Sequence, residues 1–267
     1  MTEDVVVPAD WLAERLDDDG VVVVDVRDAW EYEGIGHVPG AVNVPFDRFR
    51  SEEGDAGMLP GRDVWRELLE EAGVEPTDTL VAYDDTHGVF AARFLVTAEL
   101  YGHADRRLLD GDYSAWTRAH ETTTDVPDRP RTTYEPARPA DSPLVDFETV
   151  LNAVEAIRAG DEGTVIVDTR EDWEYAEGHL PSAVQLDWRE LVDEEARGLK
   201  PRAELERILT ANGIEPDRRV VLYCNTARRI SHTYLVLRHL GYDDVAFYEG
   251  SLTEWRARGG PIEGAAH

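Results

Sequence analysis

Val220-Val-Leu-Tyr-Cys-Asn-Thr-Ala-Arg-Arg-Ile-Ser-His-Thr-Tyr234 reads as a strand, a turn and a helix in immediate succession. Val220 to Tyr223 is a short apolar, β-branched-rich run of the kind that forms a buried strand. Tyr234, Leu235, Leu237 and Leu240 recur at helical spacing, which predicts a helix through Thr233–His239. Between them sits Cys224, the only cysteine in the chain, followed by Asn225, Thr226, Ala227, Arg228 and Arg229. A strand that ends in a cysteine and turns into a helix aims backbone N–H groups, and the positive end of the helix dipole, at the sulfur. Two guanidiniums close by add to that, and all three features favour thiolate over thiol. A lone cysteine at a strand end also serves simply as a small core hydrophobe. Two arginines within five residues, in a chain this acidic, favour a reactive, anion-binding cysteine instead.

The chain has 267 residues, 42% hydrophobic and 9% aromatic, enough for one or two globular domains with cores of their own. One cysteine excludes an intramolecular disulfide and fits a reducing cytoplasm. No apolar run of about 18 residues occurs and Met1-Thr-Glu-Asp opens with acids, so neither a membrane span nor a secretory signal is expected. The formal net charge is -29, with Lys200 the only lysine. That charge repels phosphate, so nucleic acid is not an expected partner. An acidic, lysine-poor surface resembles that of proteins from extreme halophiles, where molar salt screens the self-repulsion. The alternative is an ordinary acidic protein from a mesophile.

From the start, the chain writes one pattern twice. Val22-Val-Val-Asp25-Val-Arg27-Asp-Ala-Trp30-Glu31-Tyr32 returns as Val165-Ile-Val-Asp168-Thr-Arg170-Glu-Asp-Trp173-Glu174-Tyr175. Gly36-His37-Val-Pro39-Gly-Ala41 returns as Gly178-His179-Leu-Pro181-Ser-Ala183, and Leu80-Val-Ala-Tyr83 as Val220-Val-Leu-Tyr223. Gly111 and Trp116 return as Gly250 and Trp255, so the offset drifts only from 143 (Asp25 to Asp168) to 139 (Gly111 to Gly250). Each half alternates strand and helix. In the first, a helix capped by Asp10, strands at Val21–Val26 and Ala41–Val44, helices at Arg62–Ala72 and Val89–Leu100, and strands at Leu80–Tyr83 and Arg107–Leu109 are predicted. The second opens with a longer helix, Phe147–Ala159. Near-continuous apolar strands between helices imply an α/β fold, a mainly parallel sheet with helices on both faces. Residues 121–143, with three consecutive threonines and five prolines, read as an extended linker without core residues.

The Asp-x-Arg strand ends, the Gly-His-x-Pro-x-Ala motif, the cysteine loop after a strand and the closing Tyr248-Glu-Gly250-Ser-Leu-Thr-Glu-Trp255 together resemble the rhodanese family. The tandem arrangement resembles thiosulfate and 3-mercaptopyruvate sulfurtransferases. The resemblance implies two rhodanese-like domains, a non-catalytic one over 1–120 and a catalytic one over 144–267. Tyr223-Cys224 is answered in the first half by Tyr83-Asp84, and no arginine pair follows in Asp84-Asp-Thr-His-Gly88. By the resemblance, Cys224 is the nucleophile that carries a persulfide, in two-step covalent catalysis. The backbone of Asn225, Thr226, Ala227, Arg228 and Arg229 forms the cradle, and Arg228 and Arg229 supply charge for an oxyanion donor. The donor is thiosulfate or 3-mercaptopyruvate and the acceptor cyanide or a thiol, with a sulfur-accepting protein as another possibility. No cofactor is implied.

Cys224-Asn-Thr-Ala-Arg-Arg departs from both the Cys-Arg-Lys-Gly of thiosulfate enzymes and the Cys-Gly-Ser-Gly of mercaptopyruvate enzymes. Glu174 stands where a second arginine is frequent, and would repel an anionic donor unless paired with Arg228 or Arg229. Asp168 and Arg170 are expected to be structural, tying the strand end to the active loop. Asp25, His37 and Thr226 could form a serine-type catalytic set, but the twins Asp168 and His179 favour a scaffold role. Trp116 and Trp255 are expected to close the cores, and Trp188 to line the cleft. The histidines lack metal-ligand spacing, so no metal site is expected. Rival readings are a phosphatase or arsenate reductase, disfavoured because the arginines fall at the fourth and fifth positions after Cys224 and not the sixth; a persulfide carrier feeding a partner protein; and a non-catalytic binding module.

Overall fold

The computed structural model describes residues 5–50, 58–139 and 141–264; the acidic opening (1–4) and one residue of the expected linker (140) lie outside them. The chain forms two compact units, Met1–Ser142 with Asp193–Leu199, and Pro143–Val192 with Lys200–His267. Unit 1 runs β1 (Val6–Val7), α1 (Ala9–Ala13), β2 (Val21–Asp25), α2 (Ala29–Gly34), β3 (Val42–Asn43), α3 (Arg62–Glu71), β4 (Thr79–Tyr83), α4 (Val89–Leu100), β5 (Asp105–Leu109) and α5 (Tyr113–Trp116). Unit 2 runs β6 (Leu144–Val145), α6 (Phe147–Arg158), β7 (Thr164–Asp168), α7 (Asp172–Glu177), β8 (Val184–Gln185), α8 (Arg202–Ala211), β9 (Arg219–Tyr223), α9 (Arg228–Leu240), β10 (Val245–Tyr248) and α10 (Ser251–Ala257).

The sheets are ordered β1-β5-β4-β2-β3 and β6-β10-β9-β7-β8, and all ten strands pair in parallel. Parallel strands need covered crossovers, and the sequence supplies them. Val220, Val221, Leu222 and Tyr223 are all buried, as a strand covered on both faces requires. Val221, Tyr223, Ala246 and Tyr248 pack with Phe147, Val150 and Val154 of α6 and with Leu252 and Trp255 of α10. Tyr234 of α9 lies edge-on to Phe247, 5.9 Å between ring centroids. In unit 1, Val23, Val81, Tyr83 and Leu109 pack with Leu12, Tyr113 and Trp116. Trp116 and Trp255 each sit in their unit's core, as expected.

Four differences from the sequence reading have local causes. α9 begins at Arg228, five residues before the apolar periodicity becomes visible, so both arginines lie in its first turn. Asp10 does not cap α1: the helix starts at Ala9 behind Pro8, whose fixed φ suits that place. The two-residue strands β1 and β6 exist through their partners, Val6 beside Leu108 and Leu144 beside Phe247. The proline-rich segment after 120 does contribute to a core. Tyr134 is buried and its hydroxyl lies 3.0 Å from His103 Nδ1, while Thr123 bridges His37.

Candidate active site

Strand order places the site. In unit 2 the chain leaves β7 toward β8 on one side and leaves β9 through α9 toward β10 on the other. Where adjacent strands send their connections in opposite directions, a crevice opens at their carboxyl ends. Cys224 is the first residue beyond β9, at that crevice, and is 1% exposed. Its backbone is held on both sides. The Cys224 N–H donates to Ser251 Oγ at 3.1 Å, the Ser251 hydroxyl donates to the Tyr248 carbonyl at 2.9 Å, and the Cys224 carbonyl accepts from the Leu252 N–H at 2.9 Å. The loop then turns through buried Ala227 at φ 69°, in the left-handed region, and α9 starts at once. Of the five N–H groups expected to form the cradle, that of Arg228 is spent within the loop on the Thr226 carbonyl, at 3.0 Å. Thr253 Oγ1 donates to the Asn225 carbonyl at 2.9 Å.

From the other lip of the crevice, α7 brings in Glu174. Its Oε2 accepts from the Glu171 N–H at 3.2 Å, as the third residue of a capping box. Its Oε1 accepts from Asn225 Nδ2 at 2.7 Å, and Arg229 Nη1 pairs with Oε2. Glu174 is therefore paired with one of the two arginines, the condition under which it would not repel an anionic donor, and the partner is Arg229. Burial is the largest influence on Glu174 and pushes its carboxyl up. The Arg229 guanidinium, the Glu171 N–H and the Asn225 amide outweigh it and hold the carboxyl below the usual range. Burial likewise weighs most on Arg229, downward, but Glu174 and more weakly Cys224 raise it above the ordinary arginine value. Arg228 is half-buried in the same helical turn.

Beneath the loop lies a fully satisfied buried ion pair. Arg170 Nε donates to both Asp168 carboxylate oxygens at 2.9 and 3.0 Å, and its Nη2 donates to Oδ2 at 2.6 Å and to the Gly178 carbonyl at 2.8 Å. The Tyr223 hydroxyl donates to Asp168 Oδ2 at 2.6 Å and accepts from the Leu180 N–H at 3.1 Å. Unit 1 repeats this with Asp25, Arg27, Tyr83, Gly36 and Val38. Asp25 is thus occupied by its own arginine and tyrosine. His37 stacks on Tyr32, 3.7 Å between centroids, and its ring nitrogens face the carbonyls of Tyr32 and Asp125 at 3.1 and 3.3 Å. His179 stacks on Tyr175 in the same way. Asp25 and His37 therefore sit in the same settings as their twins. Trp188 is buried and makes a T-shaped contact with His232 of α9, 5.1 Å between ring centroids.

Unit 1 shows what the loop geometry holds. Asp84 stands where Cys224 does, and its carboxylate accepts from the N–H groups of Thr86, Gly88, Phe90 and Ala91 at 2.7, 2.8, 2.7 and 3.0 Å. Burial dominates these bonds and leaves the carboxyl above its usual range. In unit 1 the backbone after the central strand thus converges on the first side chain of the loop, a carboxylate where unit 2 has the Cys224 thiol. The sequence reading missed Ser251, 27 residues beyond the cysteine it holds. Its counterpart after Gly111, Asp112, likewise ties itself to the unit 1 loop, accepting from the His87 N–H at 3.2 Å, but no sequence pattern marks either contact. Among the described residues, no group of three His, Cys, Asp or Glu side chains could hold a metal ion.

A family model described as a rhodanese-like domain matches residues 8–119 and 152–258. The chain is 35% identical over 261 residues to a putative thiosulfate sulfurtransferase, SseA, of Mycobacterium bovis, covering 93% of this chain and 86% of that one. It is 33% identical over 264 residues to a thiosulfate sulfurtransferase of Pseudomonas aeruginosa (94% and 93% covered). Identity to the sulfur carrier protein TtuD of Thermus thermophilus is 30% over 270 residues (94% and 93%). The structure is similar to that of the 3-mercaptopyruvate sulfotransferase SseA from Escherichia coli, with TM-score 0.82 and 25% identity over 93% of this chain and 99% of that one. Two matched repeats, two parallel sheets and full-length kinship place the chain in the rhodanese family, as a tandem-domain sulfurtransferase.

Proposed function

We propose that the protein moves a sulfane sulfur from thiosulfate to a thiophilic acceptor, cyanide or a thiol, through a persulfide on Cys224. The observation that carries this is the placement of the only cysteine: at the switch point of unit 2, on the loop that enters α9, with Arg228 and Arg229 in the first turn of that helix. In the first step the Cys224 thiolate attacks the outer sulfur of thiosulfate. A new S–S bond forms, the bond within thiosulfate breaks, and sulfite leaves with the electron pair. In the second step the acceptor attacks the terminal sulfur of the persulfide, and Cys224 leaves as thiolate. Helix N-terminal dipoles and the guanidiniums of Arg228 and Arg229 favour the anions at both stages. Asp168 and Arg170 hold the strand end from which the loop departs, and Glu174 holds the loop itself. We place the protein in a reducing compartment such as the cytoplasm, which keeps a lone thiol free; no helix among the described residues is long and apolar enough to cross a membrane.

A second reading, a persulfide carrier that passes its sulfur to a partner protein, draws on the likeness to TtuD. 3-Mercaptopyruvate is the alternative donor, in keeping with the likeness to the E. coli enzyme. Intact-mass spectrometry after incubation with thiosulfate, and separately with 3-mercaptopyruvate, in molar salt tests the proposal. The mass of one sulfur is gained by wild type and not by Cys224→Ser. Folded wild type that gains no sulfur from either donor overturns it.

A further inference from the structure

We propose that Glu174 is the specificity-determining residue of this site: its carboxylate serves Arg229 as an internal counter-anion that an incoming donor must displace, so singly charged donors are accepted in preference to dianionic ones. The inference rests on the reading of Cys224 as sulfur acceptor and reorders its donors, placing the alternative named above, 3-mercaptopyruvate, ahead of thiosulfate.

Three observations carry it. Glu174 is 6% exposed and joins the two lips of the crevice, taking Asn225 through one oxygen and Arg229 through the other. Both partners belong to the five residues that follow Cys224, so the carboxylate is anchored to the cysteine loop itself. The contact also exceeds what the fold requires. Glu31, at the same place on α2, makes the same capping bond, to the Asp28 N–H at 3.2 Å, yet the loop after Tyr83 offers it no arginine. Capping uses the oxygen of a glutamine as readily as that of a glutamate, so capping alone does not call for the charge. The Glu174 carboxylate neutralises the Arg229 charge that an anionic donor would otherwise meet, and a dianion loses twice as much of that attraction as a monoanion at equal distance. A donor drawing on Arg229 must also break an ion pair that is largely out of water. Thiosulfate is then a donor of high KM. A donor with one charge, such as 3-mercaptopyruvate or a small persulfide, is favoured.

Glu174→Gln keeps the capping oxygen and removes the charge. The KM for thiosulfate is expected to fall about tenfold, equivalent to ~1.4 kcal/mol, while the KM for 3-mercaptopyruvate falls less than about threefold. A merely structural role would move both donors together. An equal change for both, or none, overturns the inference. A binding arm works without turnover. Cys224→Ser and Cys224→Ser/Glu174→Gln are titrated calorimetrically with sulfate and, separately, with acetate at constant ionic strength. Tighter sulfate binding in the double variant, with acetate binding little changed, supports the counter-anion role. Equal sulfate binding overturns it. If sulfate binding tightens but wild type forms no persulfide, the clamp stands and the sulfur-transfer reading falls.

Discussion

Cys224 and Asp84 occupy the same station, the first residue beyond the central strand of each sheet, and under the proposed function the change from thiol to carboxylate leaves sulfur transfer to unit 2. The pairs beneath them do not differ, and this makes a comparison inside one molecule. Asp168→Ala leaves the Arg170 guanidinium buried and unpaired, and Asp25→Ala does the same to Arg27. Each is expected to cost about 3–5 kcal/mol of its own unit's stability, read as a lowered denaturation midpoint. Only Asp168→Ala is expected to slow persulfide formation in protein that is still folded, because only that strand end supports the cysteine loop. Equal slowing by both would show that the pairs act through global stability. The Glu174–Arg229 pair gives a pH prediction with a definite sign. The folded-state pKa of Glu174 is depressed, so its contribution is fully present above the unfolded value, near pH ~4.3, and is lost as pH falls through the folded value. Wild type is expected to melt above Glu174→Gln near pH 7, with the gap closing below about pH 4. A constant gap would mean that the charge adds nothing. Cys224 and both arginines were legible in the sequence as changes of type against the first repeat, and Glu174 because it stands where the resembled family frequently has an arginine. The bond from the Cys224 N–H to Ser251 was not, because tertiary folding brings residues 251 and 224 together.

At the scale of elements, the long apolar segments announced themselves. α4 was legible to the residue, because its buried positions run almost unbroken from Val89 to Leu100. The start of α9 was not, since Arg228 and Arg229 interrupt the apolar pattern and the turn that begins the helix falls on an alanine. Ala227 has no side chain to accept a capping bond and adopts a conformation that L-residues reach at about 1–2 kcal/mol. Glycine meets the same dihedral without that cost, although its freer unfolded chain offsets part of the gain. Ala227→Gly is therefore expected to keep the melting temperature within a few degrees and to retain sulfur uptake. Ala227→Val, β-branched and fully buried at positive φ, should lose ~2 kcal/mol or more together with uptake. If valine is tolerated, the loop is not fixed by this turn. The edge strands β1 and β6 escaped the reading for a related reason: two residues carry no periodicity, and their extended form is imposed by β5 and β10.

For the whole molecule, the dominant quantity is the net charge of -29 over 267 residues, with acidic runs such as Asp17-Asp18-Asp19 and a single lysine. Surface repulsion of this kind acts over the Debye length, about 10 Å at 0.1 M salt and about 3 Å at 1 M. If the composition is an adaptation to salt, the melting temperature should rise by more than about 10 °C between 0.1 and 2 M KCl, clearly more than in sucrose of equal osmolality, which measures the part due to solvent exclusion. The buried pair should behave differently. Glu174 and Arg229 lie largely out of water, where salt screens weakly, so the melting difference between wild type and Glu174→Gln should persist while both curves shift upward together. A protein fully folded and active in dilute buffer, with a melting temperature flat in KCl, would separate the charge from any salt requirement. A gap that collapsed in step with the salt-driven rise would place Glu174 among the screened surface charges, and with it would go the reason for assigning it donor selection.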